Sequence, residues 1–302
     1  VMSGRLTTLD AVESDPQVLY VGAANGGVWK SNSAGTTFRP VFDDHTQSIG
    51  AIAIDQKSPD TVWVGTGEPW TRNSISYGDG IYKSTDAGET WEHIGLENTQ
   101  QISRIIIHPD NPNIVYIAAQ GAINGPTKER GIYKSTDGGK SWKNVLFVNE
   151  LSGASELSID YNNPKVLYAT IWEHQRLPWK VISGGEGSGV YKSTDGGDNW
   201  FKIENGLPNE LGKLAISVSR ANSDKVYLLA ESDSNKRLGG LFVSNNAGES
   251  WSRISKYAEL TSRSWYYIEV FADPNDENTV YVLSARAFRS IDGGKTWERI
   301  YS

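Results

Sequence analysis

The chain has 302 residues, a formal charge of −7, a pI near 5.2 and no cysteine. The acidic balance disfavours nucleic acid and anionic membranes as primary partners, and no run of about 18 apolar residues is present to cross a bilayer. The absence of cysteine removes any disulfide framework and leaves the redox compartment open.

Taken in order, the chain repeats one pattern six times. Alternating apolar runs lie at Leu6 to Val12, Ile49 to Ile54, Ile102 to Ile107, Leu157 to Ile159, Leu214 to Val218 and Tyr267 to Phe271. A turn follows each, usually with Pro, as at Asp15-Pro16, Ser58-Pro59 and Asn163-Pro164. A second run then carries Val and an aromatic, from Val18 and Tyr20 to Val280 and Tyr281. A variable loop leads to a third run such as Ile81-Tyr82-Lys83, and a short fourth run opens at a Trp. Period-2 alternation, β-branched and aromatic residues, and Gly/Asn/Asp/Pro punctuation predict four strands per repeat.

Between the third and fourth runs stands the same phrase. Its clearest copies are Ser84-Thr-Asp86-Ala-Gly88-Glu-Thr-Trp91, Ser135-Thr-Asp137-Gly-Gly139-Lys-Ser-Trp142 and Ser193-Thr-Asp195-Gly-Gly197-Asp-Asn-Trp200. Looser copies start at Ser31 (Ser33 and Phe38 in the Asp and Trp slots), Ser244 (Asn246, Trp251) and Ser290 (Asp292, Trp297). The starts lie 53, 51, 58, 51 and 46 residues apart, a period that means units which bury their apolar faces only against one another. The fold class is therefore all-β: a β-propeller of four-stranded antiparallel blades, near residues 4–42, 48–95, 101–147, 154–203, 211–254 and 264–301, read as one domain over 1–302. The last repeat ends with no spare strand to latch a ring, so closure is expected to be loose, or a seventh blade or second propeller to lie outside the chain. The opening Val1-Met2-Ser3 reads as a mature or trimmed fragment. The phrase itself is turn chemistry. Asp and Ser side chains accept backbone N–H bonds, Gly supplies positive φ, and Trp packs back over the turn. These carboxylates are expected to be structural, so that Asp137→Ala lowers stability and leaves ligand binding unchanged.

The phrase resembles the Asp-box, or BNR repeat, found in sialidases, family 74 xyloglucan hydrolases, sortilin-type receptors and photosystem II assembly factors. The chain is most similar to a bacterial group of sortilin-like, glycosyl-hydrolase-like YVTN/BNR-repeat proteins. It shares their opening from Gly4-Arg5 to Tyr20-Val-Gly22-Ala-Ala-Asn-Gly-Gly-Val-Trp-Lys30, and a segment Gly65-Thr-Gly-Glu68, Arg72-Asn-Ser74, Gly78-Asp-Gly80. The resemblance implies an extracellular, periplasmic or cell-surface location in a bacterium. The missing cysteines count against a sortilin-type receptor module, which would bring a Cys-rich region. Fold follows strongly from Asp-boxes and function weakly.

Function is sought in the loops opposite the Asp-boxes, where strands two and three and successive blades connect. Of 11 Trp, five fill Asp-box slots, and Trp29 and Trp63 replace strand tyrosines. The remaining four, Trp70, Trp172, Trp179 and Trp265, fall in these connections, beside Glu68, Arg72, Tyr77, Asp79, Glu173, His174, Arg176, Arg263 and Tyr266. Flat aromatics among carboxylates and Arg suit a sugar ring or a peptide segment. They are expected to gather into one recognition face, or else to pack the long loops against each other.

Catalysis requires more. The resemblance to family 74 implies a carboxylate in a Thr-Asp-x-Gly-Gly phrase, but here Ala23-Ala24-Asn25-Gly26-Gly27 puts Ala24 in its slot, and the second carboxylate would come from a companion propeller. The sialidase Arg-Ile-Pro phrase is replaced by Phe38-Arg39-Pro40. No cofactor or metal is expected: His45, His93, His108 and His174 lack ligand spacing, and Asp43-Asp44-His45 reads as a capped turn. No helix follows Gly184-Gly-Glu-Gly-Ser-Gly189, so it is no phosphate cradle. The leading reading is a recognition module for a polysaccharide or protein partner within a larger polypeptide or assembly. The alternatives are a glycoside hydrolase, or half of one, and a structural scaffold.

Overall fold

A computed structural model describes residues 5–72, 74–232 and 238–300. The sequence readings that touch Gly4, Asn73, residues 233–237 and residue 301 lie outside the described residues. The fold is a β-propeller assembled from six four-stranded antiparallel blades, and its only helices among the described residues are two single 3₁₀ turns. Two compact units divide the chain, Val1–Ala122 with Pro126–Asn144, and Ile123–Gly125 with Val145–Ser302, the boundary falling inside the strand Lys143–Leu146.

In the first unit, blade 1 comprises Leu6–Val12, Asp15–Ala23, Val28–Asn32 and Arg39–Pro40. Blade 2 comprises Ile49–Ile54, Val62–Thr66, Ile81–Ser84 and Glu92–His93, and blade 3 Ile102–Ile107, Val115–Ala119, Gly131–Ser135 and Lys143–Leu146. In the second unit, blade 4 comprises Ser152–Ile159, Leu167–Leu177, Gly189–Ser193 and Phe201–Ile203. Blade 5 comprises Leu214–Val218, Val226–Ala230, Gly240–Ser244 and Ser252–Ser255, and blade 6 Glu269–Ala272, Val280–Leu283, Ala287–Ser290 and Glu298–Arg299. Within each blade except blade 4, neighbouring strands are consecutive in sequence.

One departure from the expected pattern lies in blade 4. Its second strand runs 11 residues, Leu167–Leu177, and pairs beyond the blade with Lys180–Ser183. The long connection is therefore a β-hairpin whose tip is Pro178-Trp179.

The core lies between blades, as the repeat requires. Tyr20 and Val28 of blade 1 pack with Ile49, Ile52 and Val62 of blade 2, and Leu228 and Phe242 of blade 5 with Tyr168 and Val190 of blade 4. Close approach explains two strand glycines: a Cβ on Gly22 would lie 2.6 Å from the Ile49 side chain, and one on Gly65 2.4 Å from that of Ile102.

The two ends of the blades carry different bonds. At one end, each Asp-box turn donates a backbone N–H to the turn between strands one and two of its own blade, as from Ala87 to Asp60 O and from Gly196 to Lys165 O. At the other end, the connection between strands two and three meets the connection between blades. Gly67 N–H donates to Ser48 O, Gln120 N–H to Gln101 O and His174 N–H to Leu151 O.

Inside the Asp-box, Ser84 Oγ donates to Asp86 Oδ1 at 2.7 Å and accepts Gly88 N–H at 2.8 Å, while Thr90 N–H donates to Asp86 Oδ1 at 2.9 Å. Hydrogen bonds from Thr90 and Ser84 hold the Asp86 carboxyl down to about 2, and those from Ser141 and Ser135 do the same for Asp137. Asp195 and Asp292 are held low by the matching bonds from Asn199 and Thr296. Two successive residues at positive φ complete the turn: Ala87 (59°) and Gly88 (85°), or Gly138 (73°) and Gly139 (94°).

The Trp does not simply fold back on its own turn. Trp200 does so, its indole donating to Gly197 O at 3.1 Å. Trp91 and Trp142 reach the preceding blade instead, donating to Val41 O at 2.7 Å and Ile94 O at 2.9 Å. The preceding blade answers. Tyr20 OH and Lys30 Nζ both donate to Ala87 O, at 2.8 and 2.9 Å, and Tyr168 OH and Lys192 Nζ both donate to Ala247 O at 2.6 Å. In blade 2 Trp63 fills the tyrosine position, Lys83 Nζ lies 4.7 Å from its ring centroid, and Lys83 donates to Gly138 O.

Tyr168→Phe removes one of the two donors at Ala247 O and leaves the other. It is expected to cost about 1 kcal/mol in urea unfolding, the usual net value of one hydrogen bond. A second expectation concerns pH. Burial pushes the Asp10 carboxyl up to about 6, against the backbone N–H bonds it accepts from Ile54 and Ala11. The native chain then holds this proton more tightly than the unfolded chain. The stability from it is full below the ordinary value near 4 and is lost as pH rises through about 6. In Asp10→Asn, the fall in urea midpoint across that window should be shallower than in the parent.

Candidate functional site

The end opposite the Asp-boxes holds the predicted residues, and each unit organises its share separately. In the first unit the connection from Gly67 to Gly80 is tied down by Asp79. This carboxylate accepts Thr46 Oγ1 at 2.6 Å, Tyr82 OH at 2.8 Å and Thr66 Oγ1 at 3.1 Å, and its carbonyl bonds His93 Nε2 at 2.7 Å. Burial would raise the Asp79 carboxyl, but the bonds from Thr46, Tyr82 and Thr66 outweigh it and hold it below its ordinary value. Asp79 is a loop anchor with its acceptor sites filled from the protein.

Glu68 is wholly buried. Its N–H donates to Ser48 Oγ at 3.0 Å, and Oε1 takes the Arg5 guanidinium through Nε at 3.1 Å and through a second N–H. Burial pushes its carboxyl up, opposed by the Arg5 bond and charge and by Arg72. Oε2 has no hydrogen-bond partner among the described residues, nor do Thr71 Oγ1, Gln101 Nε2 and Gln120 Oε1. Gln120 Nε2 ties this neighbourhood together by donating to Pro69 O at 2.9 Å. Outside these buried groups, Trp70 is half-buried, while Arg72 and Tyr77 are exposed.

In the second unit the hairpin of blade 4 buries what the sequence placed on a recognition face. Trp172 and His174 are fully buried, with rings stacked at 4.3 Å and 12°. Trp172 Nε1 donates to Ser183 Oγ at 3.2 Å, and Ser183 Oγ donates to Glu231 Oε2 at 2.6 Å. The same oxygen accepts Lys213 N–H at 3.1 Å. Lys213 Nζ stands 5.2 Å from the Trp172 ring centroid and donates to Tyr266 O at 3.1 Å. Burial lowers the Lys213 ammonium to about 8, with Glu269, Glu231 and Glu156 opposing. Glu173 organises the glycine-rich return: its Oε2 accepts Gly187 N–H at 2.9 Å and its own N–H donates to Ser188 Oγ.

Thus Trp172, His174 and the Tyr266 main chain meet around Lys213. Trp265 and Tyr266 lie side by side at 6.1 Å, half-buried. Arg176 is half-buried, its N–H donating to Ile123 O, and Arg263 is exposed on the 3₁₀ side. Trp179 stands apart at the hairpin tip, 79% exposed. The sequence reading missed Gln101, Gln120, Lys213 and Glu231. Their signal was positional, a polar residue directly flanking an apolar strand run at the loop end.

Two measurements separate these roles. Trp172→Ala should destabilise the fold by about 3–5 kcal/mol, as for a buried aromatic, whereas Trp179→Ala should leave the melting temperature unchanged. In Lys213 the unfolded chain holds the proton more tightly between about 8 and the ordinary value of 10.5. The cost of burying the charged ammonium is therefore full below pH 8 and is relieved as pH climbs through that window. Lys213→Met should remove this alkaline rise in denaturation midpoint.

Among known proteins, the Sortilin-Vps10 family (sortilin, neurotensin receptor 3) matches residues 26–147 and 79–239, and the BNR/Asp-box repeat matches 288–299. A xyloglucanase of Paenibacillus sp. is 23% identical over 338 residues, covering 96% of this chain and 30% of the relative. Xyloglucanase Xgh74A of Acetivibrio thermocellus is 25% identical over 332 residues, covering 96% and 37%. The chain thus spans about a third of the length of these relatives. Among solved structures, an ancestral GH74 enzyme superposes with TM-score 0.72 at 17% identity, over 98% of this chain and 41% of its own. YCF48 bound to D1 peptide superposes with TM-score 0.61 at 15% identity, over 98% and 82%. These two likenesses are of fold.

Proposed function

The chain belongs to the Sortilin-Vps10 family, and on that footing we propose that it is a recognition module for a xyloglucan-type polysaccharide, bound at the end opposite the Asp-boxes. The family match lies on the blades, so the missing cysteines do not bear on it. The observation that carries the reading is Trp179. A ring 79% exposed at the tip of a hairpin has no packing role in the propeller, and a flat apolar ring in water suits the face of a pyranose. Tyr77, 46% exposed, offers a second such surface in the first unit. The similarity to xyloglucanases over 96% of this chain supports a β-glucan backbone as the ligand over a peptide. The module works outside the cytoplasm, as part of a longer polypeptide or assembly that presents it to the polymer. Nucleic acid and the membrane interior are not its partners.

The xyloglucanase names favour a second reading, in which the chain is one half of a hydrolase. An inverting pair needs one carboxyl to donate a proton and one carboxylate to activate water. Ala24 can do neither, Glu68 is held by Arg5, and Asp79 is bound by three hydroxyls, so on this reading the chain by itself binds without cleaving.

Calorimetric titration with xyloglucan oligosaccharides tests both readings. Binding is expected for the parent chain and about thirtyfold weaker for Trp179→Ala, the loss of roughly 2 kcal/mol seen for a central aromatic. Unchanged affinity in that variant, or no binding at all, sinks the recognition reading. Release of reducing ends by the isolated chain would establish the hydrolase reading in its place.

A further inference from the structure

The hairpin that carries Trp179 reaches beyond its blade on two strands and needs support to hold one position. Its strands, Leu167–Leu177 and Lys180–Ser183, share four register pairs, from His174↔Ser183 to Leu177↔Lys180. A two-stranded hairpin by itself is marginal at best in water. The outgoing strand is tied along its other edge. His174 N–H donates to Leu151 O at 3.1 Å, Arg176 N–H to Ile123 O at 2.8 Å and Gln175 Nε2 to Asn124 O at 3.2 Å. Among the described residues, one hydrogen bond leaves the hairpin from its returning strand, Ser183 Oγ donating to Glu231 Oε2 at 2.6 Å.

The receiving carboxylate is placed for this bond. Glu231 is buried at the start of a connection in blade 5. Its N–H donates to Lys213 O at 3.0 Å, its carbonyl accepts Gly212 N–H at 2.8 Å, and its Oε2 also accepts Lys213 N–H at 3.1 Å. Gly212 leaves the room, since a Cβ there would lie 2.6 Å from Glu231 Oε2. Ser183 Oγ in turn accepts Trp172 Nε1 at 3.2 Å, so one hydroxyl joins both strands of the hairpin to a carboxylate fixed on blade 5. A charge-assisted bond in a buried setting is the kind whose loss is felt most. Taking Trp179 as the ring that stacks on the glycan, we propose that Ser183 is a positioning residue, its bond to Glu231 fixing the angle at which the hairpin presents Trp179, an assignment that rests on the recognition reading. Ser183 acts through the hairpin: it removes freedom that binding would otherwise have to freeze.

Hydrogen exchange and calorimetry on the full chain test this together. In Ser183→Ala, amides within 175–182 should exchange about tenfold faster, while those of Gly189–Ser193 in the same blade keep their parental rates. Affinity for xyloglucan oligosaccharides should fall about tenfold, the scale of one charge-assisted hydrogen bond. Ser183→Thr, which keeps the hydroxyl, should restore both. Gly212→Ala displaces the same carboxylate from the blade 5 side, should reproduce these losses, and stands in should Ser183→Ala fail to fold. Parental exchange rates in both alanine variants overturn the latch. Faster exchange with parental affinity overturns the positioning role while leaving the recognition reading intact. No binding by the parent chain removes that reading and the positioning role together, and the exchange rates then decide the latch alone.

Discussion

A main-chain carbonyl of the Asp-box turn ties blade 1 to blade 2 and blade 4 to blade 5. The Asp-box turn leaves one oxygen, Ala87 O or Ala247 O, pointing at the preceding blade, and that oxygen takes both a phenol and an ammonium. The ammonium lies near the aromatic ring that carries the phenol, with Lys30 5.4 Å from the Tyr20 centroid and Lys192 5.6 Å from that of Tyr168. Burial lowers the Lys30, Lys83 and Lys192 ammonium groups, because drawing a cation out of water between blades has a cost. The carbonyl and the ring offset that cost together. Among the described residues no strand of one blade pairs with a strand of another, so these side-chain bonds set the stacking register that apolar burial alone would leave loose. The Ser and Asp of the box act one step back: they fix the turn, and the turn aims the oxygen.

The opposite end follows a different rule. There, polar side chains at the ends of the strands turn inward and bind main chain or each other. Asp79 gathers three hydroxyls, Glu173 a glycine-rich return, and Glu231 a serine and a backbone N–H. Long connections on a rigid scaffold must satisfy many backbone groups, and these residues do so. Beside them, Trp179 and Tyr77 keep exposed ring surface, and Trp70, Trp265 and Tyr266 are half-buried. Glu68 stands between the two roles. It is sealed with Arg5, yet its second oxygen shares a neighbourhood with unpartnered Thr71, Gln101 and Gln120 atoms. Unsatisfied polar atoms in such numbers are places where buried water is expected.

Six Asp-boxes at a regular spacing were enough to determine an all-β propeller and the four strands of each blade, because both follow from local periodicity and turn chemistry. Tertiary structure decided the rest. A tryptophan in a connection reads the same in sequence whether it faces water or a neighbour. Trp172 became core only because the second strand of blade 4 runs on to Leu177 and folds back as a hairpin, laying Trp172 against His174 and Lys213. Trp179, seven residues on, reached the tip of the same hairpin and stayed in water. In the same way, the Asp-box Trp could be assigned to a turn from its spacing, but only blade stacking shows Trp91 and Trp142 reaching the residue that follows the previous blade's outer strand. Periodicity records which face of a strand is apolar. It carries no information about which non-local surface arrives to cover that face, and at this protein's loops that arrival separates the residues that hold the fold from those left to bind.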